Sequence, residues 1–131
     1  MFDGSQIDDG IESEEFVLKF EEQRLGFKKD IERVSLIDDT AGYDIASFEK
    51  NTDREFNRFI EVKSYERRLG FYWTKNEKRI AEYLKEKYYI YLVDRSQILD
   101  SGYIPIIIKN PSLASLQNDY ACEVERYFFR K

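Results

Sequence analysis

The sequence predicts an α/β (α+β) domain in which a mixed central sheet is flanked by helices. Apolar residues recur at helical spacing near the start of the chain, alternate with polar residues in three later stretches, and form a nearly continuous run after a second helical pattern. With 131 residues, 42% of them hydrophobic, the chain is long enough to bury one core. We therefore predict a flexible lead-in over residues 1–10 and a single domain over residues 11–131.

The first half of the chain has the pattern of a helix followed by three strands. From Ile11 the apolar residues follow the 3.6-residue period, which predicts a helix over about 11–25 that ends at Gly26 as its C-cap. Three later stretches are bounded by turn residues and either alternate apolar with polar residues or are mostly apolar. They cover residues 31–37, 43–48 and 56–63. We predict that these strands form an antiparallel meander beside the first helix.

The second half predicts a crossover helix and two or three further elements. Thr74 and Glu77 have the spacing of a capping box, so a helix is expected from there to about Lys87. The apolar run that follows is typical of a strand covered on both faces, and a helix between two strands implies a parallel, right-handed crossover. The remaining predictions are a strand at 88–93, an edge strand at 104–109, a short helix after the Asn110-Pro111-Ser112 turn, and a strand or helix at 121–129.

The composition excludes several kinds of site. The chain contains no histidine, which rules out Ser-His-Asp and Cys-His catalysis and histidine zinc sites. Its one cysteine, Cys122, can form neither an internal disulfide nor a CxxC zinc pair, as expected for a reducing compartment. The sequence has no membrane-length apolar run and no signal-peptide pattern at its start. We therefore expect a soluble, cytoplasmic protein with no membrane partner.

The charge is unevenly distributed along the chain. The formal net charge is −5, but residues 50–87 carry eleven Lys and Arg against seven Asp and Glu, whereas residues 1–49 carry five against fourteen. Aromatic residues lie among the basic ones in this middle third, which is the mixture that a phosphate-contacting surface needs. A solvated helix face and hairpin edge would give the same pattern, so both interpretations stay open.

Three charged residues on neighbouring predicted strands indicate chemistry. Glu61 and Lys63 fall on the same face of one strand because side chains alternate. Asp44 interrupts an apolar strand, and the connecting hairpin can place it beside Glu61. Two adjacent carboxylates repel each other unless a cation neutralises them. Oxygen ligands alone favour magnesium, manganese or calcium over zinc.

The spacing from Asp44 to Glu61-x-Lys63 resembles the signature of the PD-(D/E)XK, or restriction endonuclease-like, nuclease superfamily. Further stretches between about residues 12 and 112 resemble one branch of it, the NO VEIN C-terminal domain family. These stretches are Glu14-Glu15-Phe16-Val17, Glu21, Arg24-Leu25, Ile31-Glu32-Arg33-Val34-Ser35, Gly42-Tyr43-Asp44-Ile45-x-Ser47-Phe48, Phe59-Ile60-Glu61-Val62-Lys63, Thr74-x-Asn76-Glu77, Tyr88-x-x-Tyr91-x-Val93 and Asn110-Pro111.

The resemblance implies a restriction endonuclease-like, nuclease-like domain and a role for each site residue. Asp44, Glu61 and the Val62 carbonyl would bind Mg²⁺ or Mn²⁺, and Lys63 would orient or activate water and stabilise charge on the scissile phosphate. Glu14 on the first helix would complete the ligand set, with Glu15 as the alternative. Ser13 departs from the pattern, which often has glycine there. Further candidates near the substrate are Tyr43, Ser64, Thr74 and Asn76, although helix capping is the simpler role for Thr74.

Two functions remain open at this stage. The first is a magnesium-dependent nuclease of a defence or DNA-processing system that hydrolyses phosphodiester bonds, with DNA favoured over RNA. A fused or separate targeting partner would supply recognition because no base-reading motif is visible, and a homodimer is compatible with this function and with the alternative. The alternative is a non-catalytic module of the same fold that binds nucleic acid or protein.

Overall fold

The computed structural model describes residues 4–123 and 129–131. Three 3₁₀ turns occur between its helices and strands, at Val34–Leu36, Lys85–Lys87 and Arg95–Gln97. The helices and strands are α1 (Gly4–Arg24), β1 (Glu32–Arg33), β2 (Ile45–Ser47), β3 (Arg58–Tyr65), α2 (Lys75–Leu84), β4 (Tyr88–Asp94), β5 (Ile106–Lys109) and α3 (Leu113–Asp119).

The strands form one five-stranded mixed sheet in the order β1-β2-β3-β4-β5. The first three are antiparallel neighbours, β3 and β4 run parallel, and β5 returns antiparallel at the edge. The predicted meander, parallel pair and edge strand are therefore confirmed. The α/β class is confirmed as well, and this sheet with its flanking helices is consistent with a restriction endonuclease-like fold.

Several predicted boundaries were wrong. The first helix begins at Gly4 instead of residue 11, so residues 4–10 of the predicted lead-in are helical. That stretch has no proline, so nothing in it prevents the helix from extending towards the start of the chain. The first strand covers two residues instead of 31–37, because the amides of Ile37 and Asp38 both bond to the Val34 carbonyl and turn the chain away. Residues 121–123 have no regular structure, and the rest of the predicted 121–129 element lies mostly outside the described residues.

Two apolar clusters hold the helices against the sheet. On one face, Val17 of α1 packs with Ile45, Ile60 and Tyr91. On the other, Ala81 of α2 and Leu116 of α3 pack with apolar side chains of β4. Every residue of β4 is buried, which confirms that this strand is covered on both faces. Within the described residues, no helix has the length and apolar content that crossing a bilayer requires.

A buried polar network fixes the position of α1 on the sheet. The Glu21 carboxylate is completely buried and accepts hydrogen bonds from Arg24, from the Ser47 hydroxyl at 2.8 Å and from the Tyr91 hydroxyl at 2.7 Å. Arg58 donates to the same tyrosine hydroxyl at 2.6 Å. Breaking up such a network leaves an unpaired buried charge, which strongly destabilises a protein. The network therefore fixes α1 on the sheet, including the turns of this helix that face the candidate site.

Candidate active site

Asp44 lies immediately before β2 and hydrogen-bonds to β3 as a strand residue would. Its amide donates to the Ile60 carbonyl at 2.8 Å, and its Oδ2 accepts a hydrogen bond from the Val62 amide at 2.8 Å. β2 begins only at Ile45, so this side chain supplies the partner that the Val62 amide would otherwise lack. The N–H and C=O of a strand residue point to the same edge. The Val62 carbonyl therefore faces the Asp44 side of β3, as its predicted ligand role requires.

Asp44 and Glu61 place two carboxyls side by side in the cavity wall. The Glu61 side chain is buried and that of Asp44 is half-buried, and each affects the pKa of the other. Burial and the nearby Glu14 charge raise the pKa of Asp44 to about 6. Burial and the charge of Asp44 hold the pKa of Glu61 well above its ordinary value. Each carboxyl therefore resists ionising, because burial penalises the charged form and two like charges repel each other.

Lys63 lies beside this pair and is held by a second carboxylate. Its Nζ is 3.5 Å from Glu61 Oε2 and donates to Glu77 Oε1 at 2.7 Å. Glu77 belongs to the capping box at the start of α2, where its Oε1 also accepts from the Thr74 amide at 3.0 Å. The sequence pattern located this glutamate only as a helix cap. Nothing in its spacing pointed to Lys63, which lies fourteen residues earlier.

Glu14 is near the pair but is bound elsewhere. Its Oε1 accepts from Arg33 Nε at 3.0 Å and from Ser35 Oγ at 2.5 Å, while its charge still acts on Asp44. Glu15, the alternative, has a side chain that is 57% exposed. Over residues 4–123 and 129–131 the structure holds no group of three or more acidic, histidine or cysteine side chains placed to hold a metal ion. The structure thus brings Asp44, Glu61 and Lys63 together and leaves Glu14 in a separate ion pair.

The carboxyl pair lines a cavity of about 630 Å³ between the start of β2 and the start of α2. Five of its lining side chains are carboxylic acids and one is the arginine Arg79, so the cavity suits a cation. The lining residues are Ser35, Asp38, Asp39, Thr40, Gly42, Tyr43, Asp44, Glu61, Thr74, Asn76, Glu77 and Arg79. Three of the four further candidates, Tyr43, Thr74 and Asn76, are therefore in the cavity wall, whereas Ser64 is not among its lining residues.

Ser13 explains one departure from the family pattern. It is completely buried where α1 crosses β3, and its Oγ lies 2.7 Å from the Ser64 Oγ. A small side chain is required at so close a contact, and serine also satisfies the hydroxyl of Ser64. Serine and glycine are therefore both compatible with the same helix position.

The locally basic segment is not one surface. Arg58 is buried against Tyr91, and Lys63 belongs to the candidate site. Arg67 and Arg68 are exposed at the end of β3, whereas Arg79 lies in the cavity wall. The even run of basic residues along the sequence therefore separates into three environments in the folded chain.

One of three comparisons with known proteins gave a match. The family described as "Protein NO VEIN, C-terminal" matches residues 13–102, which is more than half of the chain and includes Glu14, Asp44, Glu61 and Lys63. Neither the comparison with curated proteins nor that with solved structures gave a match. The chain belongs to the family of the C-terminal domain of protein NO VEIN.

Proposed function

We propose that the chain is a Mg²⁺- or Mn²⁺-dependent nuclease of the PD-(D/E)XK superfamily. It would hydrolyse phosphodiester bonds in nucleic acid, DNA in preference to RNA, in a cytoplasmic defence or DNA-processing system. The observation that carries the proposal is the pairing of the Asp44 and Glu61 carboxyls in one cavity wall, with Glu61 buried and Asp44 half-buried, and with the Lys63 ammonium 3.5 Å from Glu61.

The donor atoms at this position fit a hard divalent cation. Asp44 and Glu61 offer carboxylate oxygens and Val62 offers a carbonyl, which are the ligand types that magnesium and manganese prefer. Without a cation, the ionised forms of both carboxyls are unfavourable, because burial raises both pKa values, the Glu14 charge raises that of Asp44, and the Asp44 charge raises that of Glu61. When bound, such a cation polarises a phosphate oxygen and lowers the pKa of coordinated water.

The side chains around the pair have separate roles in this proposal. Asp44 and Glu61 hold the cation, and the Asp44 bond to the Val62 amide fixes their separation across β2 and β3. Lys63 is the one basic side chain in contact with Glu61 among the described residues, so its ammonium would orient water and stabilise charge on the scissile phosphate. Glu14 would reach the cation only after leaving Arg33, and we propose it as the outermost member of the set.

Cleavage assays on single-stranded DNA, duplex DNA and RNA test the proposal. Wild-type protein is expected to cleave in the presence of Mg²⁺ or Mn²⁺ and not in EDTA. Asp44→Asn, Glu61→Gln and Lys63→Ala should each lower the rate by at least about 100-fold, the size of effect seen for lost transition-state contacts. Asp39→Asn is the matched control, because Asp39 is an exposed acid on the same cavity. Cleavage that survives Lys63→Ala would contradict the assignment.

A second candidate function is a non-catalytic module that binds nucleic acid or protein. The ion pair between Glu14 and Arg33 favours it, because this pair keeps a third carboxylate away from Asp44 and Glu61. Calorimetric titration of Mg²⁺ and Mn²⁺ separates the two functions. Binding that is lost in an Asp44→Ala, Glu61→Ala double variant and is accompanied by cleavage supports the nuclease. Binding without cleavage points to a missing homodimer contact or targeting partner, and no binding favours the module.

A further inference from the structure

We propose that Arg67 and Arg68 form a phosphate-binding turn that holds the backbone of the nucleic acid beside the cleavage site. The turn comprises residues 65–68. This inference rests on the proposed nuclease function and adds a binding surface to it. The observations that carry it are the position of the turn, its rigidity and its unneutralised charge.

The turn belongs to a loop that starts and ends at the candidate site. The loop leaves β3 after Tyr65, two residues beyond Lys63, and returns at Thr74, and Lys63 and Thr74 both donate to the same oxygen of Glu77. Arg67 is four residues beyond Lys63, or about 13 Å at about 3.3 Å per strand residue. β3 and β4 are parallel and their ends pair at Tyr65 and Asp94. The turn therefore lies at the carboxyl ends of two parallel strands, where ligands bind open sheets.

The backbone of the turn is strained and firmly held. Arg67 has a φ of 65°, a left-handed conformation that favours glycine. Its amide donates to the Asp94 carboxylate at 3.2 Å, and the Arg68 amide donates to the Glu66 carbonyl at 2.7 Å. Asp94 is fixed in turn by Ser96 and Gln97. A rigid scaffold that keeps an arginine where glycine would be less strained indicates a use for the side chain.

The two arginines carry charge that the protein does not neutralise. Glu66, the acid in this turn, is paired with Arg95 at 2.9 Å. Arg67 and Arg68 are exposed, and no carboxylate in the described part of the chain lies within 4.0 Å of either guanidinium. By contrast, Arg24, Arg33 and Arg58 are all paired with glutamates. Guanidinium groups bind phosphate oxygens bidentately, so a polyphosphate strand is the ligand that suits this turn.

The test compares nucleic-acid binding by two double variants, measured by fluorescence anisotropy with labelled duplex DNA in EDTA. R67G/R68A removes both side chains, and glycine suits the φ of residue 67, so the variant should unfold at the same temperature as wild type or higher. K50A/R54A removes two exposed basic side chains that precede β3, about 25 Å away at the other end of the strand. Both variants lower the net charge equally.

We expect R67G/R68A to reduce the slope of the logarithm of the DNA-binding constant against log salt by about 1.8, since each lost phosphate contact contributes about 0.9. This change corresponds to about 60-fold weaker binding at about 0.1 M salt. K50A/R54A should change binding by less than twofold, and in Mg²⁺ the R67G/R68A variant should raise KM more than it lowers kcat. An equal loss in both variants would mean that net charge alone drives binding, and would overturn the inference. Unchanged binding by R67G/R68A would overturn it while leaving the nuclease function standing. A wild-type protein that binds no DNA would also overturn the inference, whereas the nuclease function stands or falls by the cleavage assays in Mg²⁺ or Mn²⁺.

Discussion

The pair of Asp44 and Glu61 predicts that removing one charge stabilises the protein when no divalent cation is present. Asp44 has a pKa of about 6 in the folded chain against about 3.8 in the unfolded chain. The folded state therefore holds the proton more tightly, and its stability is highest below about pH 4 and is lost as pH rises through about 6. Asp44→Asn removes this loss, and the amide oxygen can still accept the bond from Val62.

The magnitude follows from the same pKa values. A difference of about two pKa units corresponds to about 3 kcal/mol at about 1.4 kcal/mol for each unit. We reduce this to about 2 kcal/mol, because Asp44 keeps some contact with solvent at the cavity wall. Asp44→Asn should thus raise the free energy of unfolding by about 2 kcal/mol at pH 7.5 in EDTA and have almost no effect at pH 4.

Urea unfolding followed by the fluorescence of Trp73, the single tryptophan, measures this difference because Trp73 packs against a core cluster. Adding Mg²⁺ should then make the wild type more stable than Asp44→Asn. A cation at 100 times its dissociation constant stabilises the wild type by about 2.7 kcal/mol and should hardly affect the variant. Asp39→Asn, the exposed acid on the same cavity, should change stability by less than about 0.5 kcal/mol. If Asp44→Asn is no more stable than wild type at pH 7.5 in EDTA, the like-charge argument fails.

Three further changes test other parts of the structure. Glu77→Gln should reduce nuclease rate while the helix cap is largely kept, whereas Thr74→Ala should cost about 1 kcal/mol of stability in urea unfolding and leave the bond to Lys63. Equal effects of the two variants on rate would mean that Glu77 acts only as a cap. Ser13→Leu should lower the free energy of unfolding by about 2 kcal/mol or more because the site is completely buried, and Ser13→Gly should be tolerated; similar melting temperatures for both would contradict the close helix contact. Tyr91→Phe should cost about 1 to 3 kcal/mol, because the buried Glu21 carboxylate loses one of its donors and Arg58 loses its hydroxyl acceptor, and a neutral result in urea unfolding would show that the remaining partners compensate.

Local sequence patterns predicted two kinds of element. Some have pairing partners close in the chain, and others have surroundings that demand the same type of residue throughout. The run from Tyr88 to Val93 was predictable because a strand covered on both faces needs apolar residues throughout, and every residue of β4 is buried. The strand alternation likewise placed Glu61 and Lys63 on one face. The extent of β1 was not predictable, because only two residues of the predicted strand find a partner and a 3₁₀ turn that begins at Val34 ends the strand.

The position of Glu14 shows why the ligand set could not be completed from the sequence. The residues next to Glu14 on the helix give no sign that its side chain is bound away from the site. The partners that hold it, Arg33 and Ser35, lie nineteen and twenty-one residues away, and the β1 residues carry no pattern that would single them out. An ion pair of this kind depends on how α1 packs against the sheet, which is a tertiary feature.

Glu77 illustrates the opposite difficulty, in which a complete local explanation hides a second role. The capping box accounts for Thr74 and Glu77 without any reference to the rest of the chain, and the structure confirms that both capping bonds form. Yet the oxygen that caps the helix is also the one that binds Lys63 at 2.7 Å. A single carboxylate therefore joins the start of α2 to the middle of β3. Any movement of that helix start would move the Lys63 ammonium relative to Asp44 and Glu61, so the cap is also the support of the proposed catalytic lysine.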